Sequence, residues 1–394
     1  MRIEAPATRP DFSRNVHCVL GLPIDAVDLA AAERRIRAAV TSRSPCFLST
    51  PNVNFLIACR SDDAFRNSVI NSDLSVADGM PLVWLARLMG IPIRERVAGA
   101  SLFDALRYGP GRRLSVYFFG GPDGVAKEAW RQLRFEAKGL TCVGYESPGF
   151  GSVEEMSSEE IIQRINASKA DVLVISLGAR KGQAWIERNR SRLNVPVISH
   201  LGVVLHFAAG RVKRAPVWMQ KIGLEWLWRI KEEPQLWRRY FEDGLALFIL
   251  AVTRALPYAW YLRRHKANAN DLAAAMVVTR EEGQSYVARL EGAWTRSNIA
   301  RLRRCFYHAA LAGKDVSLEM RGVTYVDSAF VGLLMLLQGH QRQHGKQLLI
   351  LSLPETVRRV ITYCCAEFLC SSSAQALKPL VDIVDVALSD DIRP

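Results

Sequence analysis

Several signatures that would decide the chemistry at once are missing from these 394 residues. There is no Asp-x-Asp, and no group of His, Cys and carboxylates at metal-ligand spacing, so no metal centre is expected. The eight cysteines contain no Cys-x-x-Cys pair and no even, secreted-type spacing, and they read as reduced core residues of a cytosolic protein. No charged stretch leads into an apolar core at the start, so no signal peptide is expected. No uncharged run reaches the roughly 18 residues of a spanning helix. The nearest, Gly244 to Leu262, is interrupted by Arg254 and closed by Arg263, Arg264 and Lys266.

Acidic residues are also in deficit. The 52 Lys+Arg against 39 Asp+Glu leave a formal +13, which favours an anionic partner such as a phosphorylated ligand, an anionic membrane surface or nucleic acid. No nucleic-acid module accompanies the charge, so no nucleic-acid partner is expected. The excess is local. Arg211 to Tyr240 holds eight Lys/Arg against three Glu, with four of the nine Trp interleaved. Within it, Lys221, Glu225 and Arg229 have the spacing of an ion-pair ladder on one helix. Trp218, Ile222, Trp226 and Ile230 form a second stripe, suited to a packed core or a membrane interface.

The chain is long enough for two domains. Residues 1–14 read as a mobile leader. From 15 to 210, apolar strands alternate with helices, the pattern of a parallel sheet covered on both faces. The strands are expected at Val16 to Leu22, Cys46 to Ser49, Leu74 to Ala77, Leu114 to Phe119, Thr141 to Gly144, Asp171 to Leu177 and Pro196 to Ser199, with Asp25 capping the first long helix. Residues 211–265 form a basic, Trp-rich appendage with a possible membrane-surface helix, 266–274 a linker, and 275–394 a small separate α/β domain.

In a parallel sheet, ligands bind beyond the strand carboxyl ends. The hydrogen-bonding loop Thr50, Asn52 and Asn54, the turn Asp78-Gly79, the loop opened by Gly120 and Gly121, and the loop at Gly178 all fall at that edge. A strand, glycine loop and helix can hold a phosphate, or can simply turn. Asp78 suits a general base, or a cap for the helix beginning near Pro81. His200 and His206, on an apolar segment, read as core or supporting residues. Phosphate charge would fall to arginines and backbone donors, with Arg96, Arg229, Arg238 and Arg239 as candidates.

Thr50-Pro51-Asn52, Asp78-Gly79-Met80, Glu95-Arg96-Val97, Phe118-Phe119-Gly120-Gly121 and Leu177-Gly178 with Lys181 resemble the WecG/TagA/CpsF glycosyltransferase family. So does the run from Arg214-Ala215-Pro216 through Gly223-Leu224-Glu225-Trp226, Arg229, Glu233-Pro234 and Arg239-Tyr240. The resemblance covers about residues 15 to 245. It implies a Rossmann-like enzyme that inverts the anomeric centre, uses no metal or other cofactor, and moves a hexosyl or N-acetylhexosaminyl group from a UDP-sugar donor. The acceptor would be a polyprenyl-diphosphate-linked saccharide, in bacterial surface-polysaccharide synthesis at the inner face of the cytoplasmic membrane. Asp78 would be the base, Thr50 and Asn52 would line a substrate pocket, Arg96 would contact substrate, and Arg229 and Arg239 would close over the diphosphate.

Three departures stand out. The family reads Gly-x-Pro-Lys-Gln-Glu where this chain has Gly178-Ala179-Arg180-Lys181-Gly182-Gln183, which puts Gln183 forward as a replacement ligand. Where it tends to have Arg-Arg-x-x-Arg after Glu-Pro, Gln235 and Leu236 stand first, and Arg238 is the candidate substitute. The usual acidic residue after Arg-Val-x-Gly is displaced, with Asp104 the next carboxylate. The C-terminal unit is similar to a STAS domain on Val316 to Met320 and Gly322 to Ser328; Ser328 is a regulatory candidate, but Ala329 stands where phosphorylated members carry their acceptor. A docking or regulatory module with a protein partner is expected. A second reading is a non-catalytic sensor of nucleotide-sugars signalling through that module.

Overall fold

The computed structural model describes residues 11–136 and 138–370. The rest of the expected leader, and the end of the C-terminal domain from residue 371 on, lie outside the described residues. Along the chain the strands are β1 (Val16–Val19), β2 (Leu22–Asp25), β3 (Cys46–Ser49), β4 (Leu74–Ser75), β5 (Leu114–Gly120), β6 (Leu140–Glu146), β7 (Val172–Ser176), β8 (Val197–His200), β9 (Met276–Glu282), β10 (Ser285–Trp294), β11 (Asp315–Val326) and β12 (Leu348–Leu351). The chain divides into two units. One runs from Ile24 to Thr253, and the other joins residues 11–23 to the chain from Arg254 onward.

In the first unit, six parallel strands lie in the order β4-β3-β8-β7-β5-β6. The period of two along each strand explains why nearly every residue is apolar. Val116 and Phe118 face one core with Leu48, Leu74, Val172 and Val174. Tyr117 and Phe119 face the other with Leu173, Ile175, Ile198 and Trp185. The buried Trp185 indole is satisfied by donating to the Met156 carbonyl at 2.7 Å. This is the expected Rossmann-like parallel sheet. Locally, Asp25 is not the expected helix cap: it closes β2 and accepts from the Ser75 N–H at 2.8 Å, while Asp28 caps the Leu29–Ser42 helix.

Beyond the sheet, the basic stretch is not one helix. Helices Val217–Lys221 and Glu225–Glu232 are separated at Gly223, whose φ of +78° suits glycine, and a Cβ there would come within 2.7 Å of the Met80 Cβ. The expected ladder and stripe therefore break. Glu225 turns to Arg96 and Arg229 to Glu233, while Trp218, Ile222 and Trp226 are exposed rather than packed. Pro234–Arg264 is helical throughout, and its most apolar window has mean hydropathy 1.5 with 22% buried. By length and composition it suffices to cross a membrane, unlike the sequence expectation, because one arginine at 254 interrupts the apolar run without interrupting the helix.

The second unit carries the sheet β12-β11-β10-β9, with β10, β11 and β12 parallel and β9 antiparallel on the edge. Its central helix, Ser328–Gln343, is buried along most of its length and is capped by Asp327, which accepts from the Ala329 and Phe330 N–H groups. One side is covered by β1. A Cβ on Gly332 would lie 2.9 Å from the Val16 carbonyl, so glycine is what lets the strand and helix meet. Phe12 packs edge-on against Phe306 at 6.3 Å, and the Cys18 thiol donates to the Cys364 carbonyl at 3.3 Å. Residues 11–14 are thus packed in place rather than a mobile leader, and by its contacts the segment through Pro23 groups with the C-terminal unit. The expected linker contains a short helix, Ala269–Ala273, capped by Asn268.

Candidate active site

The sheet's carboxyl edge gathers its loops around Asp78. Asn52, after β3, caps the Val53–Ser61 helix by accepting from the Phe55 N–H at 3.2 Å. The preceding Pro51 carbonyl accepts the Asp78 N–H at 2.8 Å, and the Ala77 carbonyl accepts the Val97 N–H at 2.9 Å, so the segment through Arg96 runs beside the end of β4. The cap of the Met80–Leu88 helix is Gly79, with no side-chain bond. Asp78 is therefore not a helix cap for that element. Its carboxylate accepts instead from the N–H of Gly99, at the start of the Gly99–Tyr108 helix, where a free donor and the helix dipole favour an anion.

Two adjoining cavities meet at this carboxylate. One, of about 320 Å³, has an apolar lining from Met80, Pro81, Val203, Phe207, Trp226 and Leu247, joined by Gly79, Arg96, Glu225, Tyr240 and Asp243. The other, of about 360 Å³, is bounded by Thr50, Gly121, Ser176, Gly178, His200 and His206. Asp78, Asn52, Asn54, Arg229 and Arg239 line both.

Burial raises the Asp78 carboxyl to about 7. The nearby Arg96 guanidinium, the Gly99 N–H and, more weakly, Arg214 oppose the rise, while the like charge of Glu225 adds to it. A carboxylate balanced near neutrality can take a proton from a hydroxyl and remain ionised often enough to act. Around it, Arg96 Nη1 lies 2.7 Å from Glu225 Oε2, and Arg214 lies 2.8 Å from Asp104 and 2.6 Å from Ser101 Oγ. Arg229 pairs with Glu233 at 3.5 Å, Arg239 lies 5.3 Å from the Tyr240 ring centre, and Asn54 donates to Asp243 at 3.3 Å.

Of the sequence-predicted residues, Thr50, Asn52, Asn54, Asp78, Gly79, Arg96, Gly121, Gly178, Arg229 and Arg239 are brought together at these cavities. Three are not. Gly120 ends β5, where a Cβ would meet the Ser176 carbonyl at 2.5 Å, so its role is the turn. Gln183 is buried and donates to Ser49 Oγ at 2.9 Å inside the sheet layer. Arg238 is exposed and lies against the Trp237 ring, outside both linings. Ser328 belongs to the other unit, buried, with its hydroxyl 3.0 Å from His17 Nδ1.

Residues 17–260 match the model of the Glycosyl transferase WecG/TagA/CpsF family, well over half of the chain. The chain belongs to this family. A second match, to the Mlab STAS domain, covers residues 277–365. Similar curated proteins are N-acetylglucosaminyldiphosphoundecaprenol N-acetyl-beta-D-mannosaminyltransferases. That of Bacillus spizizenii is 27% identical over 49% of this chain and 74% of its own length. That of Bacillus subtilis is 25% identical over 49% and 73%, and that of Staphylococcus aureus strain MW2 is 23% identical over 60% and 92%. Among solved structures, an SsGBP–GDP complex covers 66% of this chain and 90% of its own at 10% identity, with a TM-score of 0.19, too slight a likeness to build on.

Among the residues of this WecG/TagA/CpsF site that escaped the sequence reading, Glu225 and His200 are instructive. Glu225 had a local partner at helical spacing, which hid its pairing with Arg96, 129 residues away. His200 lines the second cavity rather than serving only the core, and burial holds its imidazole down to about 4, hence neutral. The signal for His200 lay at Gly182, whose missing side chain leaves the room its ring occupies.

Proposed function

We propose that this WecG/TagA/CpsF enzyme transfers a sugar from a UDP-sugar to a polyprenyl-diphosphate-linked saccharide in the synthesis of a bacterial surface polysaccharide. The observation that carries the reading is the position of Asp78 on the wall common to two cavities. The glycine-edged cavity, formed by the loops after β3, β5, β7 and β8, suits the nucleotide-sugar. The apolar cavity suits an acceptor carried on a lipid. The curated relatives are named for a diphosphoundecaprenol-linked acceptor, which agrees with this division.

In the proposed single displacement, an acceptor hydroxyl oxygen attacks the anomeric carbon and its proton passes to Asp78. The bond from that carbon to the phosphate oxygen breaks on the opposite side, inverting the centre, and UDP leaves. Arg229 and Arg239 would take up the diphosphate charge without calling on a metal. The exposed Trp218, Phe241 and Phe248, next to basic side chains, suit attachment to the inner face of an anionic membrane, within reach of a lipid-linked acceptor. The STAS domain is proposed as a docking or regulatory module.

The test is a panel of UDP-sugars with a synthetic polyprenyl-diphosphate-linked acceptor, followed by UDP release and product mass. Transfer of one sugar supports the reading, and the mass identifies the class of donor. Binding of UDP-sugars with no product under any pairing would favour the non-catalytic sensor.

A further inference from the structure

The Glu225–Glu232 helix contributes more to the site than a wall. Its Trp226 and Arg229 line the apolar cavity, and Arg229 lines the second as well. Its first residue reaches back to the sheet edge, where Glu225 Oε2 meets Arg96 Nη1 at 2.7 Å with 20% and 12% of the respective side chains exposed. The other carboxylate oxygen stands 4.0 Å from Arg214 Nε. Arg214 is already held by Asp104 and Ser101, so Arg96 is the cation that depends on Glu225.

We propose that Glu225 is a positioning residue, which engages Arg96 when its helix seats on the sheet edge and so prevents that guanidinium from capturing the Asp78 carboxylate. This rests on the assignment of Asp78 as the base. Arg96 lines the same cavity as Asp78 and is the leading charge acting on it. Deprived of Glu225, a largely enclosed guanidinium would lack its counter-ion, and an anion beside it would become its partner. A carboxylate in a direct pair with arginine gives up its proton too readily to serve as a base. The same helix therefore places Arg229 at the cavities and, through Glu225, keeps Asp78 basic. The groups acting on Asp78 are Arg96, the Gly99 N–H, Glu225 and Arg214, while Arg229, Arg239, Asp243, Glu233, His200 and His206 also line its cavities.

The experiment uses the full chain with ¹³C-labelled aspartate carboxyls, and the Asp78 resonance is assigned by its loss in Asp78→Asn. In the unaltered protein its midpoint is expected at about 7. Glu225→Gln should lower that midpoint by about one unit or more, since an opposite charge then acts unbalanced. Glu225→Asp should recover it in part, and Glu225→Gln combined with Arg96→Gln should bring it back to the original value or above. In transfer assays, Glu225→Gln should reduce kcat on the order of tenfold or more with UDP affinity little changed. An unmoved midpoint in folded Glu225→Gln overturns the proposal, as does a midpoint in the double variant no higher than in the single one. If Glu225→Gln does not fold, Glu225→Asp decides: an unchanged midpoint with loss of UDP binding would make Glu225 a purely structural link. Undiminished transfer by Asp78→Asn would instead defeat the base assignment and leave the measured coupling standing, so the two failures are distinguishable.

Discussion

The ring of His200 fills the space that a side chain at Gly182 would need. A Cβ on Gly182 would come within 2.3 Å of His200 Cδ2 and 3.0 Å of its Cγ. The departure at 182 noted in the sequence is thus paired with a histidine from the neighbouring strand. It is not an empty position.

Gly182→Ala should accordingly destabilise the first unit by about 1–3 kcal/mol, the ordinary penalty for overfilling a packed site. Combined with His200→Ala, the same change should cost much less than the sum of the two single changes. Thermal unfolding of the four proteins checks this. Additive losses would mean that the ring and residue 182 do not compete for space.

Asp78→Asn should reduce transfer about a hundred- to ten-thousand-fold, the usual share of a general base, and leave UDP affinity nearly intact. The same change should stabilise the fold at pH 8. An acid held at about 7 when folded, against 3.8 as its ordinary value, binds its proton more tightly in the native state. Stability from this group is therefore lost as pH rises between those values, and the neutral amide avoids the loss, worth about 2 kcal/mol after allowance for water in the cleft. Transfer by the unaltered enzyme should decline as pH falls below about 7. Melting curves of the two proteins at pH 5 and pH 8 test the linkage, since a difference independent of pH would contradict it.

Ser328 sits 5% exposed under β1, its hydroxyl against His17 Nδ1. Ser328→Ala should cost roughly 1 kcal/mol, the worth of one hydrogen bond. Ser328→Asp buries a charge and should cost about 3 kcal/mol or more. Proteolytic resistance of the C-terminal unit is the readout. Efficient phosphorylation of Ser328 in the folded protein would show that β1 does not shield it.

The proposed membrane attachment through Trp218, Phe241 and Phe248, which stand 60%, 66% and 65% exposed, would have two separable components. Flotation with anionic vesicles should weaken as salt rises from about 0.05 to 0.5 M, because screening shortens the reach of the basic groups. Phe241→Ser with Phe248→Ser should weaken binding at every salt concentration by removing the apolar component. Equal flotation of both proteins would place the contact elsewhere.

Much of the fold was legible because its signals are local. Val116 to Phe119 and Val172 to Ile175 are apolar at every position because both faces of a parallel sheet are covered, and the same pattern marks the loops at the strand ends as the binding edge. What escaped was non-local. Nothing near Phe12 announces Phe306, and nothing near Glu225 announces Arg96. Strand β9 escaped for another reason: it is largely exposed, with weak alternation, and is held by backbone pairing to β10. Gln183 was misplaced because it stands one position after the family's usual glutamine and so offered itself as a replacement, whereas the one-residue step turns its amide inward to Ser49.

The grouping of residues 11–23 with the chain beyond Arg254 has a consequence for how the protein is made. Val16 leaves the ribosome 312 residues ahead of Ser328. At about 5–20 residues per second, β1 must wait on the order of 15–60 s for the helix that covers it. The transferase unit between them can fold during that interval, while the STAS unit cannot close until synthesis is nearly over. A ribosome that stops early would therefore release a transferase core whose β1–β2 ribbon lacks the helix that covers it, an exposed apolar face suited to recognition by chaperones and proteases.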